Sequence, residues 1–172
     1  MLRLIQQRTA SLLCCLMLVS GVVNASEVKE VYWEDLVPPD FNELAPQQAT
    51  DHNNKMAQLQ PDAPVVDIYN GERVKVPGFI VPLEGTAELT TEFLLVPFFG
   101  ACIHVPPPPA NQLVYVISDL PWENDFIWDP IWITGEISIG GQNTIISLNP
   151  HETYQANAGY EMVAHEIIDY EY

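Results

Sequence analysis

The stretch Gly100-Ala-Cys-Ile-His-Val-Pro-Pro-Pro-Pro-Ala-Asn-Gln112 constrains the fold more than any other part of the chain. Proline fixes φ and has no backbone N–H, so Pro106–Pro109 cannot lie inside a sheet and any strand before them must stop. As polyproline II the four residues form a rigid connector of about 12 Å with unpaired carbonyls. Asn111 and Gln112 follow, with side-chain amides suited to pinning such a loop.

On both sides of this connector the pattern is that of strands. Val65–Tyr69 reads as one, and Asn70-Gly71 is a hairpin signal. Arg73–Leu83 alternates charged and apolar residues until Pro77-Gly78, which implies a bend or bulge. Glu92–Phe99 is apolar almost throughout, so both of its faces should be covered. Gln112–Ser118 is the next strand. Pro130–Ser138 puts Ile131, Ile133 and Gly135 on one side and Trp132, Thr134 and Glu136 on the other. Gly140-Gly141 reads as a turn, and Tyr160–Ile168 closes the chain with renewed alternation. There is no strong long helix and no internal repeat. The expected fold is all-β: a small OB-like Greek-key barrel of five to six strands with an N-terminal arm, and an open sandwich as the alternative.

Residues 1–25 have the form of a signal peptide. Arg3 and Arg8 precede the apolar run Ser11–Val23, and Val23-Asn24-Ala25 offers a small-residue cleavage site. A lipoprotein reading of Cys14 or Cys15 is disfavoured for want of a small residue before the cysteine, and both read better as apolar residues of the leader. Residues 26–62 form the arm: Trp33 and Leu36 are spaced to dock as one helical turn, and a marginal helix is expected near Gln47–Leu59. Residues 63–172 form the barrel domain. Export places the protein in the periplasm.

The formal charge is −17, and cleavage moves it to −19 because the leader holds two of the six basic residues and none of the 23 acids. Such a chain cannot neutralise phosphates, which excludes nucleic acid. It is equally unsuited to anionic lipid; it suits cations or a basic partner face, but acidity that serves solubility alone is the stronger reading. Only Cys102 remains outside the leader, so no internal disulfide can form and the apolar core must hold the fold.

Cys102 and His104 are the candidate metal ligands. In an extended segment, residues two apart share a face, and thiolate with imidazole suits zinc or copper(I). The remaining ligands would come from His52, His151, His165, Asp119 or Glu84. The competing reading is a packed thiol beside a histidine that caps the proline loop. A thiol enzyme with Cys102 as nucleophile and His104 as base fits less well, because no nucleophile signature is present. Trp122, Phe126, Trp128 and Trp132 would cover one mouth of the barrel or form a binding rim. The sequence therefore leans away from an enzyme.

The segments Pro77–Glu84, Glu92–Gln112 and Asp129–Gly135, together with Trp33–Pro38 and Gly159–Met162, resemble a bacterial family of exported proteins of unknown function. Its mark is the Gly-Ala-Cys-Ile-His-Val-Pro-Pro-Pro-Pro string. The resemblance implies proximity to ABC-type transport systems of the MacB-like kind, some zinc-responsive, and singles out Cys102 and His104. The expected function is thus a periplasmic accessory protein of a transport system, binding zinc through the Cys-x-His pair. The alternative is a metal-free interaction module that presents the polyproline loop to a membrane-anchored partner.

Overall fold

The computed structural model describes residues 28–41, 57–85, 89–123, 129–149 and 152–171. Six strands follow in order: β1 (Lys29–Glu30), β2 (Glu72–Gly85), β3 (Leu89–Val96), β4 (Val114–Glu123), β5 (Ile131–Asn149) and β6 (Glu152–Asp169). They form one mixed sheet in the order β1-β2-β3-β4-β6-β5, and a further β2–β5 pairing closes β2 to β6 into a ring of five. β4 and β6 run parallel, as do β1 and β2; the other pairs are antiparallel. The all-β expectation holds, and the strand order is consistent with an OB-like barrel. No helix among the described residues is long and apolar enough to cross a membrane.

The ring closes because β2 serves two neighbours. Glu72–Gly78 pairs with β5, and Phe79–Gly85 pairs with β3. The change of partner falls at Pro77-Gly78, where the sequence predicts a bend. A Cβ on Gly78 would lie 2.7 Å from the Val96 carbonyl oxygen, so only glycine lets β3 approach the corner this closely. The Trp33 indole N–H donates to the Pro77 carbonyl at 2.7 Å and ties the arm to the same corner.

Two apolar clusters lie on opposite faces of β3, whose Phe93, Leu94, Leu95 and Val96 are all fully buried. Phe93 and Leu95 face the barrel interior with Val74, Val76, Ile80, Val116, Ile131, Ile133, Ile137 and Met162. Leu94 and Val96 face a second cluster with Val81, Ala101, Cys102, Leu113, Ile146, Tyr154, Ala156 and Ala158. A fully buried side chain of this size contributes about 1.5–3 kcal/mol. The continuous apolar run of β3 is thus explained by coverage on both faces.

The arm enters the first cluster. Trp33–Leu36 forms a 3-10 turn, matching the expected helical turn, and Val31 and Leu36 are fully buried. The Tyr160 hydroxyl, at the centre of this contact, donates to the Leu36 carbonyl at 2.7 Å and accepts the Val66 N–H at 2.8 Å.

Three local expectations need correction. Val65–Tyr69 is not a strand, because Val65 and Val66 pack against the core and the Val66 N–H goes to a side chain rather than a ladder. Asn70-Gly71 does turn, with φ +80° at Gly71, but it leads a loop into β2 instead of joining two strands. Gly140-Gly141 is a register irregularity inside β5, not its end, and β5 and β6 continue as a long hairpin. Most of the helix expected near Gln47–Leu59 falls outside the described residues; Ala57–Leu59 is not helical.

Gly78→Ala should cost about 1–3 kcal/mol. Its Cβ meets a backbone oxygen that cannot swing aside, so urea unfolding should show a lower midpoint with an unchanged slope.

Candidate functional site

β3 ends at Val96, and the chain then makes a compact turn rather than an extended segment. Gly100 has φ +83° and Cys102 has φ +63°, a left-handed conformation that costs a non-glycine residue about 1–2 kcal/mol. The N–H groups of Ile103 and His104 both donate to the Gly100 carbonyl, at 3.2 and 2.9 Å. The Tyr154 hydroxyl, from β6, donates to the Cys102 carbonyl at 2.7 Å and anchors the turn to the β5–β6 hairpin.

This geometry removes the premise that Cys102 and His104 share one face of a strand. The Cys102 side chain is 0% exposed in the second apolar cluster, whereas His104 is exposed. Burial pushes the Cys102 thiol up to about 12, so thiolate is scarce at neutral pH and the residue is ill suited to act as a nucleophile. Among the described residues no group of three or more His, Cys, Asp or Glu side chains is placed to hold a metal ion. His165 and Asp119, both expected as auxiliary ligands, instead pair with each other at 2.7 Å between β6 and β4. His52 and His151 lie outside the described residues, as does the side chain of Glu84. The described side chains therefore do not supply the three or four donors that zinc requires.

The proline connector is also placed differently from the exposed loop that the interaction reading assumed. Pro107, Pro108 and Pro109 are buried, and residues 57–60 of the arm cross them as a strap. The Leu59 N–H donates to the Pro107 carbonyl at 3.1 Å, and the Ala110 N–H donates to the Gln60 carbonyl at 3.1 Å. Gln58 does most. Its Nε2 donates to the carbonyls of Pro108 and Asn157 at 3.0 and 2.8 Å, and its Oε1 accepts the Asn157 N–H at 2.7 Å. One side-chain amide thereby completes both the proline run, which has no N–H groups of its own, and the edge of β6. Asn111 and Gln112 pin the loop as expected, donating to the carbonyls of Pro64 at 2.8 Å and Trp33 at 3.2 Å.

Besides His104, the turn exposes large apolar side chains. Phe98, Phe99 and Val105 are 46%, 47% and 42% exposed. The Phe99 ring meets Phe79 and His104 edge-on, at centroid distances of 6.1 and 6.5 Å, which holds it upright. The sequence reading missed both this ledge and the strap. Their signals were present: Phe98-Phe99 continues an apolar run past the strand's end, and an uncapped polyproline segment needs donors from elsewhere. Of the tryptophan-rich segment, Phe126 and Trp128 lie outside the described residues, and Trp122 packs against the barrel core.

Two outcomes follow. Gln58→Ala should cost about 1–3 kcal/mol, by leaving carbonyls of Pro108 and Asn157 and the Asn157 N–H without their partner, and should speed amide exchange at Asn157. Stability should also fall as pH rises above 9, the ordinary thiol value, towards 12, because the unfolded thiol ionises there and the buried one does not. The slope is about 1.4 kcal/mol per pH unit for such a group. Tyr160, also raised to about 12 chiefly by burial, adds to it above pH 10. Thermal melts of Cys102→Ala should show a shallower decline over this window.

Comparison with known proteins agrees with the fold and leaves function open. Residues 33–169 match the model of a family described as protein of unknown function, DUF3299. The crystal structure of a DUF3299 family protein from Pseudomonas aeruginosa PAO1 is similar to this one, with a TM-score of 0.70 and 39% sequence identity over 85% of this chain and 98% of that one. No curated protein matches. The ring of strands, the Cys102 turn and the strapped proline connector thus belong to a chain that is a member of the DUF3299 family.

Proposed function

We propose that this protein is a binding module whose apolar ledge, Phe98, Phe99 and Val105, docks a protein partner. The observation that carries the reading is the exposure of these three large side chains on a braced turn. They lie in a stretch, between Glu92 and Asp119, without a single Asp, Glu, Lys or Arg in a chain of net charge −17. Exposed apolar groups grouped on one rigid element mark an interaction site far more often than scattered ones do. The partner that the family resemblance favours is a membrane-anchored component of an ABC-type transport system, met in the periplasm after removal of residues 1–25. In this reading Cys102 and the buried prolines shape the turn, and the ledge makes the contact.

Zinc held by Cys102 and His104 is the competing reading. It would require the thiol to leave its apolar cluster and further ligands to join from residues such as His52 or His151.

One experiment separates the two. A photo-crosslinking residue at position 99 or 105, introduced in the native host, should yield a discrete adduct with a second protein. The same residue at Asp67, an exposed position far along the sequence, should not. Phe98→Ser with a crosslinker at 105 should weaken the adduct at least about ten-fold, as loss of a buried aromatic anchor does. Equal adducts from both sites, or none from the ledge, would reject the docking role. Metal analysis of untagged protein should show no zinc beyond that of Cys102→Ser/His104→Ala; a stoichiometric excess in the unaltered protein would restore the zinc reading.

A further inference from the structure

A second surface shares no residue with the Phe98–Val105 ledge. It is built around Trp132, which stands on the outer face of β5 between the inward Ile131 and Ile133 and opposite Ile168 of β6. The chain fixes this indole from two sides. The Tyr170 N–H donates to the Pro130 carbonyl at 3.1 Å, and the Tyr170 ring stacks on the indole at a centroid distance of 5.3 Å and an angle of 15°. Tyr32, from the arm, meets the indole edge-on at 5.8 Å.

Beside the indole lies a hollow of about 590 Å³ lined by Lys75, Trp132, Ile167, Ile168, Asp169 and Glu171. The Lys75 ammonium stands 4.6 Å from the centre of a Trp132 ring and 3.8 Å from a Glu30 carboxylate oxygen. The chain's own lysine thus demonstrates that this place takes a cation between an aromatic face and a carboxylate. Among the described residues the carboxylates of Asp169 and Glu171 have no ion-pair partner. Residues 124–128 and Tyr172, which flank this part of the sequence outside the described residues, include no Lys or Arg.

We propose that this hollow docks an arginine side chain presented by another protein. Charge complementarity selects the occupant, because the lining holds two carboxylates against one ammonium in a chain of net charge −17. Each part of an arginine has its counterpart. The aliphatic stem lies along Ile168, which is 43% exposed. The planar guanidinium stacks on Trp132, and its fork of N–H donors pairs with Asp169 and Glu171. Lys75 holds the place until the arginine arrives. A guanidinium is more weakly hydrated than an ammonium and stacks over a larger area, so it displaces Lys75 from the ring, and Lys75 keeps Glu30 as its partner.

NMR of the isotope-labelled protein at low salt tests this with short capped peptides. Acetyl-Gly-Arg-Gly-amide should shift the Trp132 indole N–H and the Ile168 and Asp169 amides, with a Kd on the order of 1 mM. The lysine version should bind at least about three-fold more weakly, and the citrulline version, which keeps the shape without the charge, should not bind. Added NaCl should weaken the arginine peptide. Asp169→Asn/Glu171→Gln should weaken it at least about five-fold, whereas Asp62→Asn/Asp67→Asn, which removes the same charge at exposed positions outside the hollow, should change it less than about two-fold. Lys75→Met should tighten binding at least about three-fold, because it removes the competing cation. Trp132→Leu, followed at the Ile168 and Asp169 amides, should lose the preference for arginine over lysine. The variants are compared at unchanged melting temperatures. The proposal is overturned by the absence of shifts at about 10 mM peptide, as when the chain itself fills the hollow. Equal binding of the arginine and lysine peptides, equal weakening in the two double variants, or a Lys75→Met protein that binds no tighter would overturn it too.

Discussion

The structure depends on β2 being shared between two neighbours. A sheet of five strands has two costly edges, and joining the edge strands covers them. Here one fourteen-residue strand does this by giving its first half to β5 and its second half to β3. Pro77-Gly78 makes the exchange feasible: proline gives up a ladder N–H where no single partner can take it, and glycine admits the Val96 carbonyl that any Cβ would strike. The indole of Trp33 occupies the Pro77 carbonyl freed at the corner. The arm is thus not decoration on a finished barrel. It supplies β1, two fully buried side chains and the hydrogen bond that completes the corner.

Closing the ring creates the second problem that the molecule solves. β3 is buried on both faces, so something must lie outside the barrel against Leu94 and Val96. The Cys102 turn and the extension of β5 and β6 fill that place, and the Tyr154 hydroxyl ties one to the other through the Cys102 carbonyl. In this setting the cysteine is a small apolar side chain in an apolar cluster. Its left-handed backbone is held by the two hydrogen bonds to the Gly100 carbonyl and by the tyrosine. The proline run that follows cannot join a ladder, and the arm supplies the missing donors through Gln58 and Leu59.

How far the sequence foretold this depends on the range of the interaction concerned. The corner at Pro77-Gly78, the doubly covered β3, the inward Ile131 and Ile133, the docking of Trp33 and Leu36 and the pinning by Asn111 and Gln112 were all legible. Each is a local pattern whose meaning survives in any fold that buries it. The misread elements were set by distant partners. Val65–Tyr69 has strand composition, but the Tyr160 hydroxyl, 94 residues away, takes the Val66 N–H. Gly140-Gly141 has turn composition, but pairing with β6 carries the strand through it. The Cys-x-His spacing gives a common face only in extended backbone, and the two positive φ values at Gly100 and Cys102 were not encoded in a pattern short enough to recognise.

Charge then divides the surface. The described basic residues, Lys29, Arg73 and Lys75, all stand on β1 and β2, where Lys29 lies over the Tyr69 ring and Lys75 over the Trp132 ring, each at 4.6 Å. Acidic residues accompany them, as Glu30 does Lys75 at 3.8 Å. The Cys102 turn, the proline connector and the strand beyond Gly140-Gly141 carry no formal charge at all. Solubility alone gives no reason for such a division, because even a few of the 23 acids placed on this side would have lowered its tendency to associate. A surface kept neutral next to one so acidic directs contact: among the described residues, approach by an acidic partner is least opposed where the phenylalanines of the Cys102 turn are exposed. Where a carboxylate does stand beside the second cluster, as Glu92 does on the Leu94 face of β3, the Tyr115 hydroxyl donates to it.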